Sequence, residues 1–163
     1  MQIKATEITL VPLKDIKLNP KNRNKHSKEQ IDRLAKVIMY QGFREPGVIS
    51  KLSGNLAAGE GRYLASKQLG LTAMPCIFQD FDDEDQEYAF GVSTNAISAW
   101  AELDMAAINT DMSFLDGATF DIELLGIKDF VLEPADFEVD PKQDPKDKGH
   151  EMKKCPSCGV LIE

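Results

Sequence analysis

Leu56-Ala57-Ala58-Gly59-Glu60-Gly61-Arg62-Tyr63-Leu64-Ala65-Ser66-Lys67-Gln68-Leu69-Gly70 is the stretch on which the fold turns. Leu56 to Ala58 reads as a strand and Gly59-Glu60-Gly61 as an interruption. Arg62 to Leu69 reads as a helix that packs through Tyr63, Leu64 and Ala65, with Gly70 as its C′ residue. A strand that passes through glycines into a helix implies α/β architecture. Small residues at such a junction let a ligand approach the backbone, the amides of the helix start point outward, and an arginine there completes an anion site. The same residues also suit a plain turn, so both readings stay open.

On the N-terminal side, Ile8 to Leu13 reads as an opening strand and Leu18 to His26 as a basic, turn-rich loop. Ser27 followed by Gln30 forms a capping box. Ile31, Leu34, Ala35 and Ile38 make one apolar stripe, and Gly42 sits where the helix should stop. Pro46 forces an exit into extended chain. Gly47 to Lys51 and Leu56 to Ala58 then read as two strands joined by Ser53-Gly54-Asn55. Beyond Gly70, Thr72 to Phe78 is a further strand. Asp82 or Asp83 caps a helix to about Trp100, with an acidic first turn that suits the helix dipole. Helical segments continue from Ala101, with Leu103, Ala106, Ala107, Phe114, Leu115, Ile122, Leu124 and Leu125 as apolar faces. Glu133 to Gly149, with three prolines and almost no apolar residues, reads as a linker. The expected division is a domain over 1–100, a helical extension over 101–132, and a polar linker with a flexible CxxC tail over 133–163.

At 163 residues the chain holds one domain and an appendage, and 42% hydrophobic with 28% charged residues is globular rather than disordered composition. The formal net charge of -8 hides a division. Up to Pro75 there are 13 Lys and Arg against 6 Asp and Glu, and beyond it 6 against 21. A phosphate-binding site therefore belongs in the first half, while the acidic total argues against nonspecific DNA coating. No stretch approaches the roughly 18 apolar residues of a membrane span and MQIKATEITL lacks a signal-peptide core, so a cytoplasmic protein without membrane partners is expected.

The order Asn19-Pro20-x-Asn22, helix, Gly42-x-x-x-Pro46, strand, Gly59-Glu60-Gly61-Arg62-x-x-Ala65, strand with Pro75, acidic helix start and Thr94-Asn95 resembles the N-terminal domain of the ParB/sulfiredoxin superfamily. The resemblance runs from about Ile8 to Trp100. The helical continuation to about Phe137 is similar to ParB-like domains of phages and prophages that stand beside or are fused to DNA methyltransferases. It implies a small mixed sheet with helices, and a nucleotide cradled by the segments Gly42 to Pro46 and Gly59 to Ala65. In partition proteins that nucleotide is CTP, and the asparagine matching Asn95 belongs to a Glu-Asn pair near a magnesium ion. Three departures stand out: Gly61 replaces the first arginine of a pair, Thr94 the glutamate before Asn95, and Ser98 an arginine after it. The nucleophilic cysteine of sulfiredoxins is Glu60 here, which argues against sulfinic-acid reduction. Partition proteins continue into basic helix-turn-helix and dimerisation regions, whereas this continuation is short and acidic.

The leading expectation is a nucleotide-binding accessory protein of a phage or mobile element, acting on or near DNA in modification or partition, with DNA or a DNA-modifying enzyme as partner. CTP or ATP, with magnesium, is the expected ligand. Gly59, Gly61 and Arg62 would hold phosphate and Asn22, Arg23 and His26 would close over it. Two alternatives stand beside it. One is a phosphotransferase, NTPase or nuclease with Glu60 as base and Asn95 near the metal; the other is an interaction module with a decayed pocket. In the tail, Cys155-Pro156-Ser157-Cys158-Gly159 has the shape of a zinc knuckle, with His150 as a third ligand. Three ligands do not close a structural zinc site, so the expectation is weak zinc binding or a site shared in a homodimer, against two free thiols. Cys76, between Pro75 and Ile77, reads as a core residue.

Overall fold

The computed structural model of the chain describes residues 3–5, 7–115, 120–128, 153–154 and 161–162. Its first unit, residues 1–132, contains β1 (Thr9–Pro12), a 3-10 turn at Leu13–Asp15, β2 (Lys17–Leu18), α1 (Lys28–Gln41), β3 (Gly47–Ser50), β4 (Asn55–Ala58), α2 (Glu60–Gln68), β5 (Ala73–Gln79), α3 (Glu84–Ser98) and α4 (Met105–Asp111), with 3-10 turns at Met112–Phe114 and Ile122–Leu125. In the second unit, residues 133–163, β6 (Lys153–Lys154) pairs antiparallel with β7 (Leu161–Ile162). Cys155 and Cys158 fall between those strands in sequence; with His150 and the linker 133–149 they lie outside the described residues.

The five strands of the first unit form one mixed sheet in the order β1-β5-β3-β4-β2. β1 runs antiparallel to β5, β5 parallel to β3, β3 antiparallel to β4, and β4 parallel to β2. Strand side chains alternate between faces. Val11, Met74 and Cys76 therefore turn inward while Leu10 stays exposed. The inward set meets Leu13, Ile16, Ile49 and Leu56 in one apolar cluster. Ile31, Ala35 and Ile38 of α1 close on Ala65 of α2 in a second, and Phe43 packs against both.

Local signals account for the helix starts. Ser27 accepts from the Gln30 amide at 3.1 Å, and Asp83 from the Gln86 amide at 2.7 Å. The expected capping box is only half made, because Oε1 of Gln30 turns to His26 Nδ1, 3.1 Å away. Two expected boundaries are corrected. Lys17–Leu18 is a strand paired with Asn55–Leu56 rather than the mouth of a loop, since a two-residue strand displays no period. The second helix begins at Glu60 and not at Arg62: Gly59, in the left-handed region at φ 102°, caps it by backbone alone, and the Tyr63 amide donates to the Gly59 carbonyl at 3.0 Å.

α3 is docked through an unexpected polar anchor. Glu87, one of the acids of its first turn, is 6% exposed and points inward, accepting from the hydroxyls of Ser50 at 2.6 Å and Ser53 at 2.7 Å. One turn on, Gly91 lies so close to β4 that an added Cβ would stand 3.2 Å from the Ala57 carbonyl oxygen. The apolar faces expected beyond Ala101 are only partly used. Leu103, Phe114 and Leu115 are exposed, while the Ile122–Leu125 turn packs on α1. There Arg33 Nη1 donates to the Ile127 carbonyl, and Lys36 pairs with Glu123, which raises the lysine pKa through that hydrogen bond. Among the described residues no helix is long and apolar enough to cross a membrane.

The α1–α2 seam is the place to test the packing. Ile31→Ala should lower unfolding free energy by about 2–5 kcal/mol in denaturant titrations. Leu34, expected in the same buried stripe, is only half-buried because it borders the cavity described next, so Leu34→Ala should cost less.

Candidate functional site

Where α2 begins, the sheet, the loop before α1 and the end of α3 enclose a cavity of about 260 Å³. β4 contributes Leu56 to Ala58, the α2 start Gly59 to Arg62, the loop Asn22, Asn24 and His26, α1 Gln30 and Leu34, and α3 Thr94, Asn95 and Ser98. Seven of the residues singled out from the sequence therefore meet in one place: Asn22, His26, Gly59, Glu60, Gly61, Arg62 and Asn95. Gly42 and Pro46 do not line it. Gly42 ends α1 with φ 75°, and Pro46 acts through its carbonyl, 3.4 Å from Arg62 Nη2.

Two glycines carry the geometry. A Cβ at Gly59 would lie 3.1 Å from the Gly47 Cα in addition to straining the left-handed backbone, so this junction admits little else. A Cβ at Gly61 would come within 3.2 Å of the His26 ring. The absence of a side chain at 61 thus makes room for the histidine, whose own ring is steadied by Gln30.

The basic loop behaves differently from its composition. Asn22, Asn24 and His26 border the cavity while Lys21, Arg23 and Lys25 are exposed, the alternation of an extended chain. Arg23, expected at the site, consequently does not line it. Asn22 donates its amide to the Glu60 carboxylate, tying the loop to α2. Lys21 ties it to α3, donating to Glu84 at 2.7 Å. That hydrogen bond, with the charge behind it, raises the Lys21 pKa and lowers that of Glu84.

Arg62 leaves α2 toward the segment that enters β3 and forms an ion pair with Glu45, Nη1 to Oε2 at 2.6 Å; the arginine side chain is 24% exposed and the glutamate 77%. Arg62 Nε is buried and has no hydrogen-bond partner among the described residues. Glu45 carried no recognisable sequence signal, since nothing local links residue 45 to residue 62. Asn95 lies on the last turns of α3, exposed, its amide donating to the Gly91 carbonyl at 3.0 Å. Cys76 is fully buried as expected of a core residue, and burial pushes its thiol up to about 11 despite the lowering influence of Arg62. Among the described residues no three His, Cys, Asp or Glu side chains cluster to hold a metal ion.

The model of the ParB N-terminal domain matches residues 1–95. The chain belongs to that family. Among solved structures, the C-terminally truncated chromosome-partitioning protein ParB from Caulobacter crescentus complexed with CTP-gamma-S is similar, at a TM-score of 0.61 and 20% identity, over 74% of this chain and 69% of that one. The match shows that the two share a fold. The same truncated ParB complexed to the centromeric parS site matches with a TM-score of 0.46 and 17% identity, over 74% of this chain and 65% of that one. Sulfiredoxin from Arabidopsis thaliana matches at 0.42 and 22%, over 47% of this chain and 88% of that one. No curated protein matches the sequence. Within the ParB N-terminal domain family fold, the cavity sits at the strand-to-helix junction between β4 and α2.

The loop tether gives a pH-dependent expectation. Because Lys21 holds the Glu84 pKa down, the pair stabilises the fold above the carboxylate range and loses that contribution as pH falls through the Glu84 pKa. Lys21→Met should return Glu84 upward to the ordinary carboxylate range in a carboxyl-carbon NMR titration.

Proposed function

We propose that this ParB-family chain binds a nucleoside triphosphate in the cavity at the start of α2. In this reading it serves as an accessory protein of a phage or mobile element, acting on or near DNA in modification or partition. The observation that carries the reading is the convergence of the α2 amides, Arg62, Asn22, His26 and Asn95 on one cavity. A helix N-terminus offers unpaired N–H groups and a positive dipole end to phosphate, and an arginine adds charge-assisted hydrogen bonds. The similar Caulobacter ParB was solved with a CTP analogue and, separately, with its centromeric DNA, which supports nucleotide and DNA as partners. Among the described residues there is no preformed metal cage. Magnesium, which is commonly held by one or two carboxylates together with substrate phosphates, would then arrive with the nucleotide and find Glu60 at the cavity wall.

Glu60 also favours a second reading, in which the bound triphosphate is hydrolysed. Asn22 holds its carboxylate in place at the cavity, where it can take a proton from water. Release of inorganic phosphate, lost in Glu60→Gln while binding persists, would establish turnover.

The deciding experiment is thermal unfolding with CTP, ATP, GTP and UTP, each with and without magnesium. A ligand at 100 times its Kd adds about 2.7 kcal/mol of stability, a clear shift in melting temperature. Arg62→Ala should abolish most of that shift and leave a folded protein. An unchanged shift in this variant would reject the site.

A further inference from the structure

Arg62 is already engaged. Of the charged side chains that line the cavity, Glu45 and Glu60 are acidic and Arg62 is basic, so its interior carries no cationic surplus when His26 is neutral. The arginine spends its Nη1 on the Glu45 carboxylate at 2.6 Å, directs Nη2 at the Pro46 carbonyl at a weak 3.4 Å, and keeps Nε buried without a partner. Glu45 differs from every other group that touches this guanidinium. It is 77% exposed and stands just before the proline that leads into β3, and no other hydrogen bond of its side chain is found among the described residues. It is held where it is chiefly by the arginine itself. The guanidinium itself lies over the side-chain-free face of Gly59, its Nη2 and Nε 3.4 and 3.5 Å from the position a Cβ there would take.

We propose that Glu45 is a displaceable latch on Arg62, an internal carboxylate that occupies the phosphate-binding arginine until a ligand phosphate takes its place. The inference rests on the nucleotide reading above and adds a selection rule to it. A carboxylate and a phosphate oxygen compete for the same N–H groups, and the phosphate prevails because it brings more charge and more acceptor atoms to a planar donor fork. Displacement costs little on the glutamate side, because an exposed carboxylate is rehydrated when it swings away. A nucleoside has no anion to exchange and is indifferent to the latch, whereas every phosphate ligand must displace Glu45, so the latch lowers phosphate affinity and admits to the arginine only ligands charged enough to outcompete a carboxylate. Glu45 is thus a positioning residue that sets the affinity threshold of this site through Arg62.

The test is a double-mutant cycle on the full chain, with CTP, ATP, GTP and UTP as probes by calorimetry and cytidine and adenosine as uncharged controls. Glu45→Gln should bind the preferred triphosphate about threefold to tenfold more tightly than wild type, the range for losing one partly exposed charge-assisted pair. The gain should vanish in the Arg62→Ala background and should not appear with the nucleosides. Glu45→Ala guards against an unforeseen effect of the amide, and melting without ligand checks that each variant is folded. Binding by Glu45→Gln where wild type shows none would support the latch most strongly. Equal triphosphate affinity in wild type and both Glu45 variants would overturn it while leaving the nucleotide reading intact. So would a gain that survives Arg62→Ala, which would mean general repulsion, or one shared by nucleosides, which would mean a reshaped cavity. No triphosphate binding in wild type or either Glu45 variant would overturn the nucleotide reading and the latch together.

Discussion

The junction at Gly59 is the constraint on which this structure depends. The chain must leave β4, pass within van der Waals reach of Gly47 on β3 and enter α2 without a spacer, which requires a left-handed residue with no side chain. Because the turn is so short, Glu60, Gly61 and Arg62 form the first turn of the helix, and the side chains of Glu60 and Arg62 diverge from its open end to Asn22 and Glu45. The same path brings Ala65 against α1, so the second apolar cluster and the cavity are two consequences of one backbone geometry. A longer loop would separate them.

Around that junction the cavity is assembled by contacts that are mostly polar. Glu87 reaches under the β3–β4 turn to Ser50 and Ser53, and Gly91 lets α3 lie against β4; together they place Thr94, Asn95 and Ser98 at the cavity mouth. α3 buries little apolar surface of its own, Glu87 being its one buried residue. Its docking therefore rests on a satisfied buried carboxylate, an arrangement that orients well because unpaired alternatives are costly in a low-dielectric setting. The loop before α1 is tied in the same manner, through Asn22 to Glu60 and through Lys21 to Glu84.

Charge is distributed against the simplest expectation. The 13 Lys and Arg up to Pro75 predict a strongly positive site, yet Arg62 is the one among them that lines the cavity, and Glu45 answers it. Most of the remaining cations sit outward, as with Lys21, Arg23 and Lys25 in the alternating loop, while Arg33 is half-buried against the Ile127 carbonyl. They give this half of the molecule a positive long-range field, while the cavity interior presents directed hydrogen-bond donors.

The sequence by itself determined the features written within a few residues of one another. Ser27 and Asp83 mark helix starts because their side chains reach amides three residues on, Ile31, Ala35 and Ile38 mark a buried face by helical spacing, and Gly59-Glu60-Gly61-Arg62 marks the strand-to-helix turn that borders the cavity because that turn is a local event. Only the tertiary structure decided the pairing of Lys17–Leu18 with β4, the inward turn of Glu87, the removal of Arg23 from the site and the capture of Arg62 by Glu45. Each of these joins segments that are distant along the chain or depends on which face of a strand or loop meets its neighbour. A charged side chain looks the same in sequence whether it faces water or a partner, and the free energy that distinguishes the two exists only once the sheet has brought the partner within hydrogen-bonding distance.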